Sequence, residues 1–174
     1  MTICLGPLDS GKTLLMKRLA DEEIDEATVT EKTLNVETYR VLSPNCKFDI
    51  LIRECGGTMA PRWKEYLPNV QKIIFVIDAS NLCQISAAGV LLYTLLTDPS
   101  LQKVRFALVL TKMDWSYRQM RNEALLMLQF TRLKKEVKQE IQVLEVSALT
   151  GDGVDKLKEW IFDPVTLENA SKHN

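Results

Sequence analysis

The chain opens Met1-Thr2-Ile3-Cys4-Leu5-Gly6-Pro7-Leu8-Asp9-Ser10-Gly11-Lys12-Thr13. Residues Gly6 to Thr13 fit the pattern G-x-x-x-x-G-K-[ST]. Met1–Leu5 is a short apolar run of strand type, and a helix is predicted from about Lys12 to Asp21. Strand, glycine loop and helix in that order are the context the pattern requires. Backbone N–H groups from Gly6, Asp9, Ser10 and Gly11 onward can surround a polyphosphate, helped by the positive end of the helix. Lys12 is placed to reach the β and γ phosphates, and the Thr13 hydroxyl to ligate magnesium. The plainer alternative is a glycine loop arising by chance, which the flanking strand and helix weigh against.

Downstream, short β-type runs alternate with helical patterns. Asp21–Glu31 is acidic and Thr-rich without apolar periodicity, and reads as a loop. Val36–Val41 and Phe48–Ile52 read as two strands joined by the turn Ser43-Pro44-Asn45. Lys72–Asp78 and Val104–Leu110 are nearly continuous apolar runs, the signature of strands buried on both faces. Leu82, Ile85, Ala88, Leu92 and Leu95 recur at helical spacing. Met120, Ala124, Leu128 and Leu133 mark a further helix. Ile141–Val146 is a last strand, and Val154, Leu157, Trp160 and Ile161 give a last helix stopped near Asp163-Pro164. The expectation is a doubly wound α/β fold: a mostly parallel sheet, helices on both faces and an antiparallel hairpin at one edge. One domain over residues 1–163 is expected, followed by a polar tail over 164–174.

Composition narrows the function. Apolar residues make up 46% and charged residues 26% of 174, and the net charge is -1 from 22 Lys and Arg against 23 Asp and Glu. There is no basic excess to neutralise a nucleic-acid backbone, so no nucleic-acid partner is expected. Cys4, Cys46, Cys55 and Cys83 show no C-x-x-C spacing, and free thiols without a signal peptide fit a reducing, cytoplasmic setting. The one histidine, His173, lies in the tail, which disfavours mechanisms needing a His base. No apolar run approaches the roughly 20 residues that span a bilayer. Thr2 stands where N-myristoylation needs glycine and the tail carries no prenylation cysteine, so no direct lipid anchor is expected.

Three further constellations follow strands. Arg53-Glu54-Cys55-Gly56-Gly57-Thr58 places an acidic residue where it can hold magnesium through water. Its glycines let backbone approach a γ-phosphate, although a strand ending in Gly-Gly is often only a turn. Thr111-Lys112-Met113-Asp114 supplies a carboxylate able to accept from N1–H and N2–H₂ of guanine, donors adenine lacks; the Lys112 stem can lie over the base. Ser147-Ala148-Leu149-Thr150-Gly151-Asp152-Gly153-Val154 follows the last strand. It could equally be a polar turn in which Asp152 caps the last helix.

In this order the four motifs resemble the small GTPase superfamily over nearly the whole chain. Asn35-Val36-Glu37-Thr38, and Gly56-Gly57 with Pro61, Trp63 and Tyr66, are similar to its ADP-ribosylation-factor-like branch. The resemblance implies GTP or GDP as ligand with Mg²⁺, and the Ala148 N–H donating to guanine O6 beside Ser147. It implies Thr58 and Gly57 at the hydrolysis site, and Met59, Trp63 and Tyr66 as an apolar patch read by GTP-state effector proteins, with ordinary core packing of a helix the plainer alternative, above all for Trp63. Exchange factors, activating proteins and a regulatory role in membrane or ciliary traffic, peripheral to membranes through partners, belong to the same implication.

The chain also departs from that family. Glu54 stands where Asp is usual, adding about 1.5 Å of reach. Thr58 stands where a glutamine orients the attacking water, so intrinsic hydrolysis is expected to fall below about 10⁻⁴ s⁻¹. Leu8 adds bulk to the phosphate loop. Counting back from Asn35 in the family spacing reaches Glu31 rather than the magnesium-binding Thr. Thr30, with Thr28 and Thr33 nearby, is the preferred replacement, against the plainer view of a solvated mobile loop. The family's N-terminal amphipathic helix is expected to be missing. Two other classes compete: a nucleotide-binding interaction module that barely hydrolyses, and a small-molecule kinase. The kinase requires an Arg-bearing lid for which no insertion is visible.

Overall fold

A computed structural model describes residues 1–43, 48–115 and 118–164. Six strands form one sheet in the order β2-β3-β1-β4-β5-β6: β1 Thr2–Leu5, β2 Val36–Leu42, β3 Asp49–Cys55, β4 Lys72–Asp78, β5 Arg105–Thr111 and β6 Ile141–Glu145. Only β2 and β3 pair antiparallel, Val36 opposite Cys55 through Leu42 opposite Asp49; every other neighbouring pair is parallel. The doubly wound, mostly parallel sheet with an antiparallel edge hairpin is thus the observed fold. Every residue of β4 is buried, and all of β5 after Arg105. This is why those two runs carry no alternation: side chains on both faces meet helices.

One face is covered by α1 (Lys12–Leu19) and, from the far end of the chain, the helix Val154–Phe162. Leu15, Met16 and Leu19 meet Leu157, Trp160 and Ile161 there, above Cys4, Ile74, Val76 and Val109. The other face packs α2 (Leu82–Leu96), α3 (Arg118–Met127) and α4 (Phe130–Glu136) against Ile73, Phe75, Phe106 and Leu108. The closing helix Val154–Phe162 is α5. Its last turn is held by buried Lys72, whose Nζ donates to the carbonyls of Trp160 and Ile161, each at 2.8 Å, and of Asp163.

Two boundaries differ from the sequence reading. The helix expected through Met120 and Leu133 is two, broken at Gln129, which adopts a left-handed φ of 48°. The spacing contains the reason: 120, 124 and 128 keep a four-residue step, whereas 128 to 133 is five and leaves the apolar stripe. The second hairpin strand starts one residue later and runs three further than expected, to Cys55, carrying Glu54 into the ladder. Pro44, Asn45 and Cys46 lie outside the described residues, as does the tail from residue 165, including His173. Among the described residues no helix is long and apolar enough to cross a membrane.

Candidate nucleotide-binding site

The carboxyl ends of β1, β4 and β5, with the loop after β6, meet at one edge of the sheet, where ligands bind in open α/β folds. From β1 the chain turns through Gly6 into α1. Gly6 passes so close to β4 that a Cβ there would lie 2.2 Å from the Val76 carbonyl oxygen. Asp9 (φ 60°) and Gly11 (φ 84°) are left-handed, a backbone that turns N–H groups inward to form an anion-binding concavity. Ser10 and Lys12 are buried within it. Lys12 Nζ donates to the Pro7 carbonyl at 2.7 Å and lies 3.4 Å from Ser10 Oγ, and burial pushes its pKa down. A polyphosphate offers that buried cation its natural counter-charge.

Beside the loop sits a cluster of oxygens. Thr13 Oγ1 donates to Glu54 Oε1 at 2.7 Å; Thr33 Oγ1 lies 3.0 Å from Thr13 Oγ1 and 3.4 Å from Glu54 Oε1. Glu54 is fully buried, and its Oε2 is buried without a hydrogen-bond partner. Burial raises the Glu54 pKa, against the lowering effect of the Thr13 hydrogen bond and nearby Lys12. Hydroxyl and carboxylate oxygens are the donors a hard cation such as magnesium takes, and the fit to Mg²⁺ is good. Among the described residues no group of three His, Cys, Asp or Glu side chains could hold a metal without further oxygens.

Thr30, expected from the sequence to bind magnesium, is exposed and reaches only the lining of a small cavity of about 60 Å³ that it shares with Glu31, Lys32 and the cluster. Thr33 is the threonine brought against Thr13 and Glu54. The β2–β3 ladder decides this. The Gly56 N–H donates to the Asn35 carbonyl at 3.2 Å, and Gly56 packs so closely on the chain that a Cβ would lie 2.0 Å from the Thr33 carbonyl oxygen. Counting along the family spacing cannot reveal which residue the ladder presses inward. Gly57 likewise abuts the phosphate loop, where a Cβ would meet the Leu8 nitrogen at 2.3 Å. Thr58, next to it, is exposed.

On the base side, Ser147 Oγ donates to Asp114 Oδ1 at 2.6 Å, so the two motifs expected to read guanine are joined. Lys112 is left-handed (φ 58°) and pairs with Asp78 Oδ2 at 2.6 Å. Asp78 is almost fully buried, and its other oxygen accepts from the Ser80 N–H and hydroxyl. Thr111 Oγ1 donates to the Ser10 carbonyl at 2.7 Å, tying the phosphate loop to β5 instead of pointing into open space. Ala148 is buried, and Arg18 of α1 donates to the carbonyls of Ala148 and Leu149. Asp152 makes a hydrogen bond with Thr150 and does not cap α5, whose N-cap is Gly153 without a side-chain bond. Sequence reasoning missed Asp78 and Arg18. An acidic residue ending the apolar run Lys72–Asp78 was a visible signal for the first; nothing local marks the second.

For Trp63 the structure favours core packing over a partner-facing patch. The residue is 2% exposed. Its Nε1 donates to the Gly56 carbonyl at 3.2 Å, and its ring meets Phe75 edge-on at 6.3 Å. It anchors the 3₁₀ segment Gly57–Tyr66 to the core, where burying a large ring outweighs displaying it. Met59 is buried too, while Tyr66 packs half-buried against the same cluster.

With phosphate loop, oxygen cluster and base-side loops on one edge, the comparisons are decisive. The sequence pattern of the ADP-ribosylation factor family matches residues 1–165. The chain belongs to that family. Human ADP-ribosylation factor-like protein 16 is 30% identical over 168 residues, covering 92% of this chain and 84% of the relative. ADP-ribosylation factor-like protein 1 of Caenorhabditis elegans is 27% identical, covering 91% of this chain and 85% of its own length. In structure, the Arl6 BBS3 small GTPase from Trypanosoma brucei, solved with the nucleotide analogue GppNp, superposes with a TM-score of 0.76 at 19% identity, covering 99% of this chain and 98% of that one. As a member of the ADP-ribosylation factor family the protein is a small GTPase, a GTP-binding switch by class. Such switches generally work with effectors, exchange factors and activating proteins.

Proposed function

We propose that the protein is a magnesium-dependent GTP/GDP switch that hydrolyses GTP very slowly on its own and regulates membrane or ciliary traffic. The observation that carries the magnesium part is the Thr13–Glu54–Thr33 oxygen cluster beside buried Lys12, with Glu54 Oε2 unpartnered. Thr13, Thr33 and Glu54 are the residues that would hold the cation. When bound, magnesium would supply positive charge against the phosphates. The loop amides and Lys12 hold the phosphates, and Gly57 leaves room for the γ-phosphate end of the site. Asp114, steadied by Ser147, accepts from the guanine edge, Ala148 donates to O6, and Lys112 lies along the base.

Slow hydrolysis rests on Thr58. Positioning supplies most of phosphoryl-transfer catalysis, and an exposed threonine is too short to hold a water in line with the γ-phosphate. Leu8 places bulk where an arginine from an activating protein would enter. Exchange, rather than turnover, then sets the nucleotide state. The traffic role rests on family resemblance, and the setting proposed with it is cytoplasmic, at membranes through partners. A nucleotide-binding module with no hydrolysis is the second reading, favoured by the same Thr58. Loading the protein with γ-labelled GTP and following phosphate release and nucleotide loss in parallel tests both. Phosphate release many times faster than dissociation, without a partner, overturns the slow-hydrolysis reading; no release even with cell extract favours the second.

A further inference from the structure

Arg18 lies outside every nucleotide motif, yet its guanidinium spans the two halves of the site. It sits one and a half turns along α1, the helix whose first turn carries Lys12 and Thr13. Its Nε donates to the Ala148 carbonyl at 2.6 Å, and its Nη2 donates to the Leu149 carbonyl of the same loop. A guanidinium fork fixes two successive carbonyls in direction as well as position, which a lysine cannot do. The carbonyl of Ala148 and the N–H of Ala148 flank one Cα, so holding the first limits where the second points.

The remainder of the loop is braced from within: the Thr150 N–H donates to Ser147 Oγ at 3.1 Å, and the Ser147 N–H to the Asp152 carbonyl at 2.9 Å. These bonds fix the shape of the loop, and Ser147 Oγ ties its start to Asp114 at 2.6 Å, on the side of β5. Thr111 ties β5 to the phosphate loop through the Ser10 carbonyl. Arg18 is the direct side-chain tie from α1, the helix of the phosphate loop, to Ala148 and Leu149 in the loop after β6.

We propose that Arg18 is a specificity-determining positioning residue, holding the Ala148 N–H at the distance from the bound phosphates at which it meets guanine O6. The proposal rests on the guanine reading of the site. It makes base discrimination depend on a side chain that touches neither base nor phosphate.

The test compares GDP with 6-thioguanosine diphosphate, which keeps the N1–H and N2–H₂ donors and replaces O6 by a weaker acceptor. ADP serves as the control for guanine recognition. Affinities are measured for the unaltered protein, Arg18→Gln and Arg18→Lys, with far-UV circular dichroism as the check on folding. Arg18→Gln is expected to lose about three- to tenfold in GDP affinity, the scale of one neutral hydrogen bond. It is expected to lose much less for the thio analogue, so that the ratio between the two shrinks. Arg18→Lys falls between, and carries the same comparison should the Gln variant not fold. Equal losses for both nucleotides mean that Arg18 merely packs α1 against α5, and overturn the proposal, as does no loss at all. An unaltered protein that fails to separate GDP from the thio analogue overturns it while leaving guanine recognition intact. One that fails to separate GDP from ADP brings down the guanine reading itself.

Discussion

Thr33 Oγ1 stands 3.0 Å from Thr13 Oγ1. The two hydroxyls come from segments 20 residues apart, the first helix and the stretch leading into β2, and both are directed at Glu54. Replacing Thr33 by Val keeps its shape and removes that hydroxyl. Magnesium-dependent retention of a fluorescent, non-hydrolysable GTP analogue is expected to weaken at least about fivefold, the scale of a lost oxygen contact to a charged group. Thr33→Ser restores it, and Thr30→Val leaves it within about twofold. Dissociation rates with magnesium and with EDTA check this: the Thr33 effect disappears once the metal is chelated. An equal effect of Thr30→Val returns the role to Thr30.

Lys12→Ala removes a buried ammonium aimed into the phosphate loop. A charge-assisted contact to phosphate contributes about 1.5–3 kcal/mol, so GTP and GDP affinities are expected to fall by about ten- to a hundredfold. Isothermal titration measures it. Far-UV circular dichroism of the nucleotide-free variant checks that the loss is one of binding and not of folding. Unchanged affinity removes the phosphate-loop assignment.

Asp114→Asn exchanges one acceptor for a donor while preserving shape. Preference is expected to move from guanine toward xanthine nucleotides, read by competition between GDP and XDP. The hydroxyl of Ser147 can still bond the amide oxygen, so the loop after β6 keeps its place and the shift reports base recognition.

Asp78→Asn leaves Lys112 without its buried partner. The aliphatic stem loses its fixed course along the base, and GDP affinity is expected to fall by about three- to tenfold, with ATP remaining a poor ligand. Lys112 is 42% exposed at its side chain, so solvent screens part of the pair and the effect stays modest. A change confined to thermal stability assigns Asp78 to the fold alone.

Trp63→Ala empties a core position edge-on to Phe75 and frees the Gly56 carbonyl. A loss of about 3–5 kcal/mol is expected in urea unfolding, as for other buried tryptophans. Trp63→Phe recovers most of the apolar part. A patch that only greets partners would give less than about 0.5 kcal/mol.

The sequence by itself determined the sheet, because β4 and β5 are apolar throughout and the strand–helix alternation admits parallel pairing with helices on both faces. It determined the phosphate loop, because Gly6, Gly11, Lys12 and Thr13 are contiguous and their chemistry depends on local backbone. It placed Asp114 and Ser147 at one edge of the sheet, since each follows the carboxyl end of a strand in the same sheet. The choice of Thr33 over Thr30 belonged to the tertiary structure: both lie in a loop without periodicity, and only the Asn35–Gly56 bond fixes which one turns inward. The burial of Trp63 was decided the same way, because a helical spacing of Met59, Trp63 and Tyr66 says that they share a face and not what that face meets. Arg18 with the Ala148 loop, and Asp78 with Lys112, are 130 and 34 residues apart. A contact between side chains that distant in sequence exists only once the sheet has brought their strands' ends together, and no local pattern records it.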